Sequence, residues 1–501
     1  MQACADGDAI LRAAPGGTRF AFTSPTLRGQ GSLGGSPLAF AASTVRFDVS
    51  EGFTASNVSV DLGRADSLTQ FDLAQLGGRF SGGGIAGTLE GGAARIGIVP
   101  LLIDAASGNW RWQNSILTLD GNASVSDAEQ VDRFKTLAIP SMQIALENSI
   151  VSAIGYLAEP QSGIRVADVD IRHELNSATG RALLAVENLT FGDRLQPSDL
   201  TALTVGAIAN VEGAVSGDGI IEWDGSTVRS RGKFETQNLD FAAAFGPVTG
   251  LSTEVNFTDL LGLETAPSQI ARIAVVNPGI PAFDGKLDYR LLPDQRVQIE
   301  GGRWPFYGGE LILEPTIIDF DVEAQRLLTF QLVGLDAEKF LASYELENLR
   351  VTGVFDGTLP MVFDQDGGRI VGGTLVSRPG GGEVSYLGQL SYEEMGTFAN
   401  FAFEALRSIR FAEMQIGVNG NIGGEVVTEV RFRGLQQGSE ARRNYITQQL
   451  AKLPIQFNVR IEAEFLSLIG SLRALYDADY AAERYGSLIK VEPPVTGEEQ
   501  P

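Results

Sequence analysis

The chain has 501 residues, enough for two to four ordinary domains or for one large repetitive β architecture. Hydrophobic residues make up 44% and charged residues 20%, which is a folding composition, and 60 evenly spread glycines mean many short turns. A net charge of −24, with no run of Lys or Arg, argues against a nucleic-acid partner, whose affinity comes from neutralising phosphates, and against a strongly anionic membrane surface.

The first residues, Met1-Gln2-Ala3-Cys4-Ala5-Asp6, contain no charged segment followed by an apolar one, and no stretch of 18 apolar residues occurs anywhere. Cys4 lacks the apolar run that a lipoprotein signal places before its cysteine, so it reads as an ordinary thiol near a free end. The chain therefore reads as a downstream piece of something longer.

Period-2 alternation dominates from there on. Val58, Val60 and Leu62 share one face of a strand, and Asp168-Val169-Asp170-Ile171-Arg172 repeats the device. Residues 126–148 are expected to hold a helix. Leu287, Tyr289 and Leu291 alternate with Lys286, Asp288 and Arg290, and Val297 and Ile299 do the same over 296–300. The turns between strands are read at Asp224-Gly225-Ser226, Asp284-Gly285 and Asp356-Gly357. Residues 301–315, with four glycines and Trp304-Pro305-Phe306-Tyr307, read as a tight strand-to-strand connection leading into a strand with Leu311 and Leu313. Short amphipathic helices are expected near 336–344, at 391–409 after the capping-box sequence at Ser391, and at 464–484. Phe457 and Val459 lie on one face of a strand between the last two, and 491–501 reads as a disordered tail.

Residues with the chemistry of a catalytic site are few. His173 is the only histidine, it ends a strand, and no Gly-x-Ser-x-Gly elbow exists, so the ordinary reading of a strand histidine prevails. Cys4 and His173 cannot make a zinc site. Gly82-Gly83-Gly84-Ile85-Ala86-Gly87 matches a dinucleotide-binding pattern, but a strand and turn follow it where that site needs a helix. Acidic pairs such as Asp168 with Asp170 and Asp364 with Asp366 are expected by chance among 62 Asp and Glu. No metal, cofactor or catalytic residue is expected.

From about Gly206 onward the sequence resembles the YdbH family of the AsmA-like group, which includes TamB and YhdP. The residues that carry this are Gly219-Ile220-Ile221-Glu222-Trp223, Phe257-Thr258-Asp259-Leu260, Asn277-Pro278-Gly279, Trp304-Pro305-Phe306-Tyr307-Gly308-Gly309 and Thr352-Gly353-Val354-Phe355-Asp356-Gly357-Thr358-Leu359-Pro360. Gly372-Gly373-Thr374-Leu375 and Leu453-Pro454-Ile455-Gln456-Phe457-Asn458-Val459 complete the set.

The resemblance implies an upstream β segment over 1–205 and a family region over 206–490. It implies a mostly β fold, an elongated, curled antiparallel sheet that forms an apolar groove and carries phospholipid between the inner and outer membranes across the periplasm. Trp304, Pro305, Phe306, Gly308, Gly309, Gly353, Asp356, Gly357 and Pro360 then become structural motif residues. Val58, Val60, Leu62, Leu287, Tyr289, Leu291, Val297, Ile299, Leu311, Leu313, Phe457 and Val459 become candidate groove residues. The expected partners are phospholipids, the two membranes and a small outer-membrane lipoprotein, with the inner-membrane tether supplied by an N-terminal helix absent from this sequence. Two other readings compete: an outer-membrane assembly factor whose strand edges template another β protein, and a secreted polysaccharide-active enzyme.

Overall fold

The computed structural model describes residues 2–386, 408–437 and 458–464, leaving out 7–9, 14–19, 34, 64–67, 131, 206–207, 225, 244–245, 278–280, 294–295, 320–324, 343–348, 365–366 and 422–424. Among the described residues the fold is almost entirely strand: a curled antiparallel sheet of 28 strands and a second sheet of four short ones. The chain divides into two compact units. One comprises Met1–Val205, Glu212–Thr236 and Glu254–Thr265, and the other comprises Gly206–Val211, Gln237–Thr253 and Ala266–Pro501.

In the first unit, strands Phe20–Leu33, Ser36–Asp48, Gly52–Leu62, Thr69–Ser81, Gly84–Arg95, Leu101–Gln113, Ile116–Asp127, Leu137–Glu147, Ile150–Ala158, Arg165–Glu174 and Thr179–Phe191 form a meander, each hydrogen-bonded to the next. Two-residue turns link several of them. Gly82-Gly83, Asn114-Ser115 and Asn148-Ser149 each have both φ angles positive, the turn whose twist suits a hairpin. The glycine pattern at 82–87 is such a turn and the strand after it.

Long strands here do not alternate strictly. In Ser36–Asp48 the apolar side chains sit at Phe40 and Ala42, then at Val45 and Phe47, so their parity changes across Thr44, whose φ is 51°. The same happens across Asn57 (47°), Gly91 (62°) and Ala105 (53°), and in the second unit across Asp284 (55°), Gly334 (74°) and Gly372 (70°). Register shifts between Leu89 and Gly92, Asp104 and Ser107, Leu332 and Leu335, and Ile370 and Gly373 mark Gly91, Ala105, Gly334 and Gly372 as β-bulges. A bulge inserts one residue, bends the strand and strengthens its twist, which curls a sheet. It also keeps both halves of a strand's apolar residues on one face.

A bulge amide is left without a ladder partner, and a side chain from the next strand often takes it. Gly334 N–H donates to Asp356 Oδ1 at 2.8 Å and Gly372 N–H to Asn419 Oδ1 at 2.6 Å.

Several expectations are corrected. Among the described residues of 126–148 there is no helix; Leu137–Glu147 is a strand, and Pro140 within it would break a helix interior. Asp284-Gly285 and Asp356-Gly357 are not turns but lie inside strands Ala282–Leu292 and Val354–Asp364, where Asp284 has a φ of 55°. Trp304-Pro305-Phe306 is not a connection either. Strand Arg296–Phe306 runs through it, and only Tyr307-Gly308, with φ of 42° and 88°, turns the chain into Gly309–Leu313.

A short helix, Ala337–Ala342, follows strand Arg326–Asp336, and Asp336 Oδ1 receives the amides of Glu338 and Lys339. The helices expected over 391–409 and 464–484 and the tail 491–501 lie outside the described residues, except that Ser408 and Ile409 belong to strand Ser408–Phe411 and Glu464 ends strand Asn458–Glu464.

Candidate functional site

Because every described pairing is antiparallel and in known register, side chains can be followed across the sheet one partner at a time. In the first unit one such ladder runs Phe22, Phe47, Phe53, Gly78, Gly87, Trp110, Leu119, Ile144, Ala153, Ile171, Ala182, Ile221. Each residue is the direct partner of the next, and all twelve are apolar or glycine. Eleven strand spacings of about 4.8 Å make this about 53 Å of continuous apolar surface.

The ladder one residue along, on the other face, runs Thr23, Arg46, Thr54, Gly77, Thr88, Asn109, Asp120, Gln143, Ile154, Asp170, Leu183, Ile220, and it is polar over most of its length. The sheet thus has one apolar and one largely polar face. Below the bulges the apolar face continues through Gly29, Phe40, Val60, Phe71, Ala94, Ile103, Val125 and Leu137.

Most of these side chains are half-buried. Among the described residues of this unit the only helical segments are Pro197–Leu200 and Ala202–Thr204, too short to cover a face of this extent.

His173 lies on the apolar face in the next ladder, between Val151 and Gly180, with Trp223 after Gly180. Trp223 Nε1–H donates to His173 Nδ1 at 3.1 Å and the rings stack at 5.9 Å between centroids. Burial pushes the imidazole's pKa below its ordinary value. The histidine is thus a neutral acceptor fixed by an indole.

In the second unit the corresponding ladder runs Trp304, Leu311, Leu332, Gly357, Leu375, Ile416, Val430, and Val459 follows by register. A neighbouring one runs Ala271, Leu287, Gly302, Leu313, Phe330, Leu359. Trp304, Leu311, Leu332, Leu375, Ile416, Val430, Leu287, Leu313, Phe330 and Leu359 belong to one apolar cluster that also includes Tyr289, Val297, Ile299, Phe306 and Phe411.

The sequence-derived candidates fall as follows. Leu287, Tyr289, Val297, Ile299, Leu311 and Leu313 belong to that cluster, Leu291 pairs with Val297, and Phe457 lies outside the described residues. Val58 and Val60 pack with Ala42, Val45 and Ala55 in the first unit, and Leu62 is buried two positions further along the same strand. Tyr289 Oη lies 3.0 Å from Thr253 Oγ1, and burial raises its phenol pKa.

Of the motif residues, Trp304 and Phe306 are buried, Pro305 and Pro360 lie on the opposite face, and Gly308 makes the turn. Phe306 and Phe340 both meet the Tyr307 ring edge-on, at 4.7 and 5.3 Å. Gly309 and Gly357 allow close strand approach, since a Cβ would lie 2.2 Å from Val333 O and 2.5 Å from Thr374 O respectively. The Gly353 carbonyl accepts the Ala337 amide at 3.0 Å. Asp356 also binds Arg378, whose hydrogen bonds hold its carboxyl below the usual range.

Sequence reading missed the residues before each bulge, such as Phe53 and Ala55, and all of the Trp110 and Ile144 region. Trp110 and Trp112 do alternate with Asn109 and Arg111, a signal that could have found that strand.

Asp168 and Asp170 lie on the polar face, Asp168 paired with Arg165. Among the described residues no three His, Cys, Asp or Glu stand close enough together to hold a metal ion.

The class this defines is a curled antiparallel β-sheet protein that presents a long apolar face. The chain belongs to the YdbH-like family: the family model, described as intermembrane phospholipid transport protein YdbH, matches residues 5–484. No curated protein and no solved structure matches it.

Proposed function

We propose that this chain carries phospholipids along its apolar face, as a periplasmic bridge between the inner and outer membranes. The observation that carries the reading is the unbroken twelve-strand ladder from Phe22 to Ile221, uncharged and for the most part only half-buried. Drawing a two-chain lipid through water exposes about 30 methylenes at about 0.8 kcal/mol each, of order 25 kcal/mol. A continuous apolar surface lowers that barrier with no catalytic residue, and the polar headgroup stays in solvent. Family membership supports lipid transport as the activity.

On this reading Val58, Val60, Leu62, Leu287, Tyr289, Leu291, Val297, Ile299, Leu311, Leu313, Phe457 and Val459 line the path. Tethering to the inner membrane by a helix outside this sequence and docking of a small outer-membrane lipoprotein belong to the same proposal.

Native mass spectrometry of the purified chain tests it. Co-purifying phospholipid is the expected result. A lipid-free chain that crosslinks to outer-membrane β proteins along its strand edges would favour the assembly-factor reading instead.

A further inference from the structure

Three of the four tryptophans lie against glycines on the apolar face. A Cβ at Gly78 would sit 2.8 Å from Cζ2 of Trp110, and one at Gly180 would sit 2.3 Å from Cζ2 of Trp223. At Gly285 the distance to Nε1 of Trp304 would be 1.9 Å, and at Gly302 the distance to its Cζ3 would be 2.7 Å. No side chain fits under any of these rings, so each indole rests on bare backbone and adds little height to the face.

The three differ in what else holds them. Trp110 Nε1–H donates to the carbonyls of Gly77 and Thr88, and Trp223 Nε1–H donates to His173. Trp304 is 6% exposed and its N–H has no hydrogen-bond partner among the described residues. Packing alone therefore sets its position, and Gly285 is the glycine at which an added Cβ would come nearest to the ring.

We propose that Gly285 is a positioning residue for lipid passage: by carrying no side chain it keeps the Trp304 indole down on the sheet, as floor and not as a barrier. The inference rests on the lipid-transfer reading. The backbone at 285 is held by the pairing of Gly285 with Ile273 on one side and by the pairing of its neighbours Lys286 and Leu287 with Arg303 and Gly302 on the other. The ring, held by no hydrogen bond, is what moves, and it moves up into the path of the acyl chains.

The test compares the full chain with its Gly285→Ala, Trp304→Leu and doubly substituted forms. Its main readout is transfer of a fluorescent phosphatidylethanolamine between phosphatidylethanolamine–phosphatidylglycerol vesicles, with tryptophan emission recorded alongside. Gly285→Ala is expected to shift tryptophan emission to the red and to slow transfer about tenfold, and the double variant to recover the Trp304→Leu rate. Wild-type transfer with an unchanged Gly285→Ala rate or emission overturns the inference alone, as does a double variant no faster than Gly285→Ala, which would mark a loss of fold. A wild-type chain that moves no lipid and retains none overturns the transfer reading itself.

Discussion

Asp356 accepts the amide of Gly334 from the adjacent strand at 2.8 Å, and the same carboxylate holds Arg378 through Nε and Nη2 at 2.8 and 2.7 Å. The first bond satisfies a bulge amide; the second is an ion pair between side chains that are about half exposed. Solvent-exposed pairs contribute about 0–1 kcal/mol, whereas an unsatisfied backbone amide costs about 1–3 kcal/mol. Asp356→Ala should therefore destabilise by about 1–3 kcal/mol, Arg378→Ala by less than about 1 kcal/mol, and Asp356→Asn, which keeps the acceptor, should lie nearer the wild type. Denaturant unfolding of the three variants checks the order. Equal losses for Asp356→Ala and Arg378→Ala would mean that the ion pair, and not the bulge amide, is what Asp356 stabilises.

Two glycines of one hairpin should respond oppositely. Gly82 is a turn residue with φ of 55° and open space around it, so Gly82→Asn should change stability by no more than about 0.5 kcal/mol. A Cβ at Gly87 would lie 1.8 Å from the Gly77 carbonyl oxygen, so Gly87→Ala must push two strands apart and should cost about 2 kcal/mol or more. Thermal melts of the two variants side by side decide it.

His173 should titrate below its ordinary value of about 6.5. With the folded pKa depressed, the unfolded chain binds more protons between the two values, so stability rises with pH there. The histidine's contribution is complete above about pH 6.5 and is lost as pH falls through the folded pKa. Protonation also removes the Nδ1 acceptor that Trp223 uses. Proton NMR of the single imidazole should give a midpoint below about 6.5, and His173→Phe should flatten this part of the stability profile. A midpoint at or above about 6.5 would contradict the buried, neutral assignment.

The strand-rich fold and one apolar face were legible wherever alternation ran unbroken, as over Val58, Val60 and Leu62 or Leu287, Tyr289 and Leu291. They became illegible at the bulges. Across Asn57 the apolar parity changes, so Phe53 and Ala55 fall out of phase with Val58 in the sequence, although Ala55 and Val58 pack together. The same effect produced the false helix. A register shift between Ile139 and Met142 spaces Ile139, Met142 and Leu146 at i, i+3 and i+7, which imitates a helical stripe. Trp304 read as part of a connection because its seat on Gly285 is a cross-strand contact, and sequence spacing carries no register.

Gln143 and Ile144 offer the most direct test of the central claim, since they are chain neighbours with opposite assignments: Ile144 stands on the twelve-strand apolar ladder and Gln143 on the polar one. A photoreactive amino acid placed at each position in turn, activated in cells and followed by analysis for covalently attached lipid, should capture phospholipid from position 144 and none from position 143. Capture from 143 with none from 144, or from neither, would contradict the assignment of the apolar face as the lipid path.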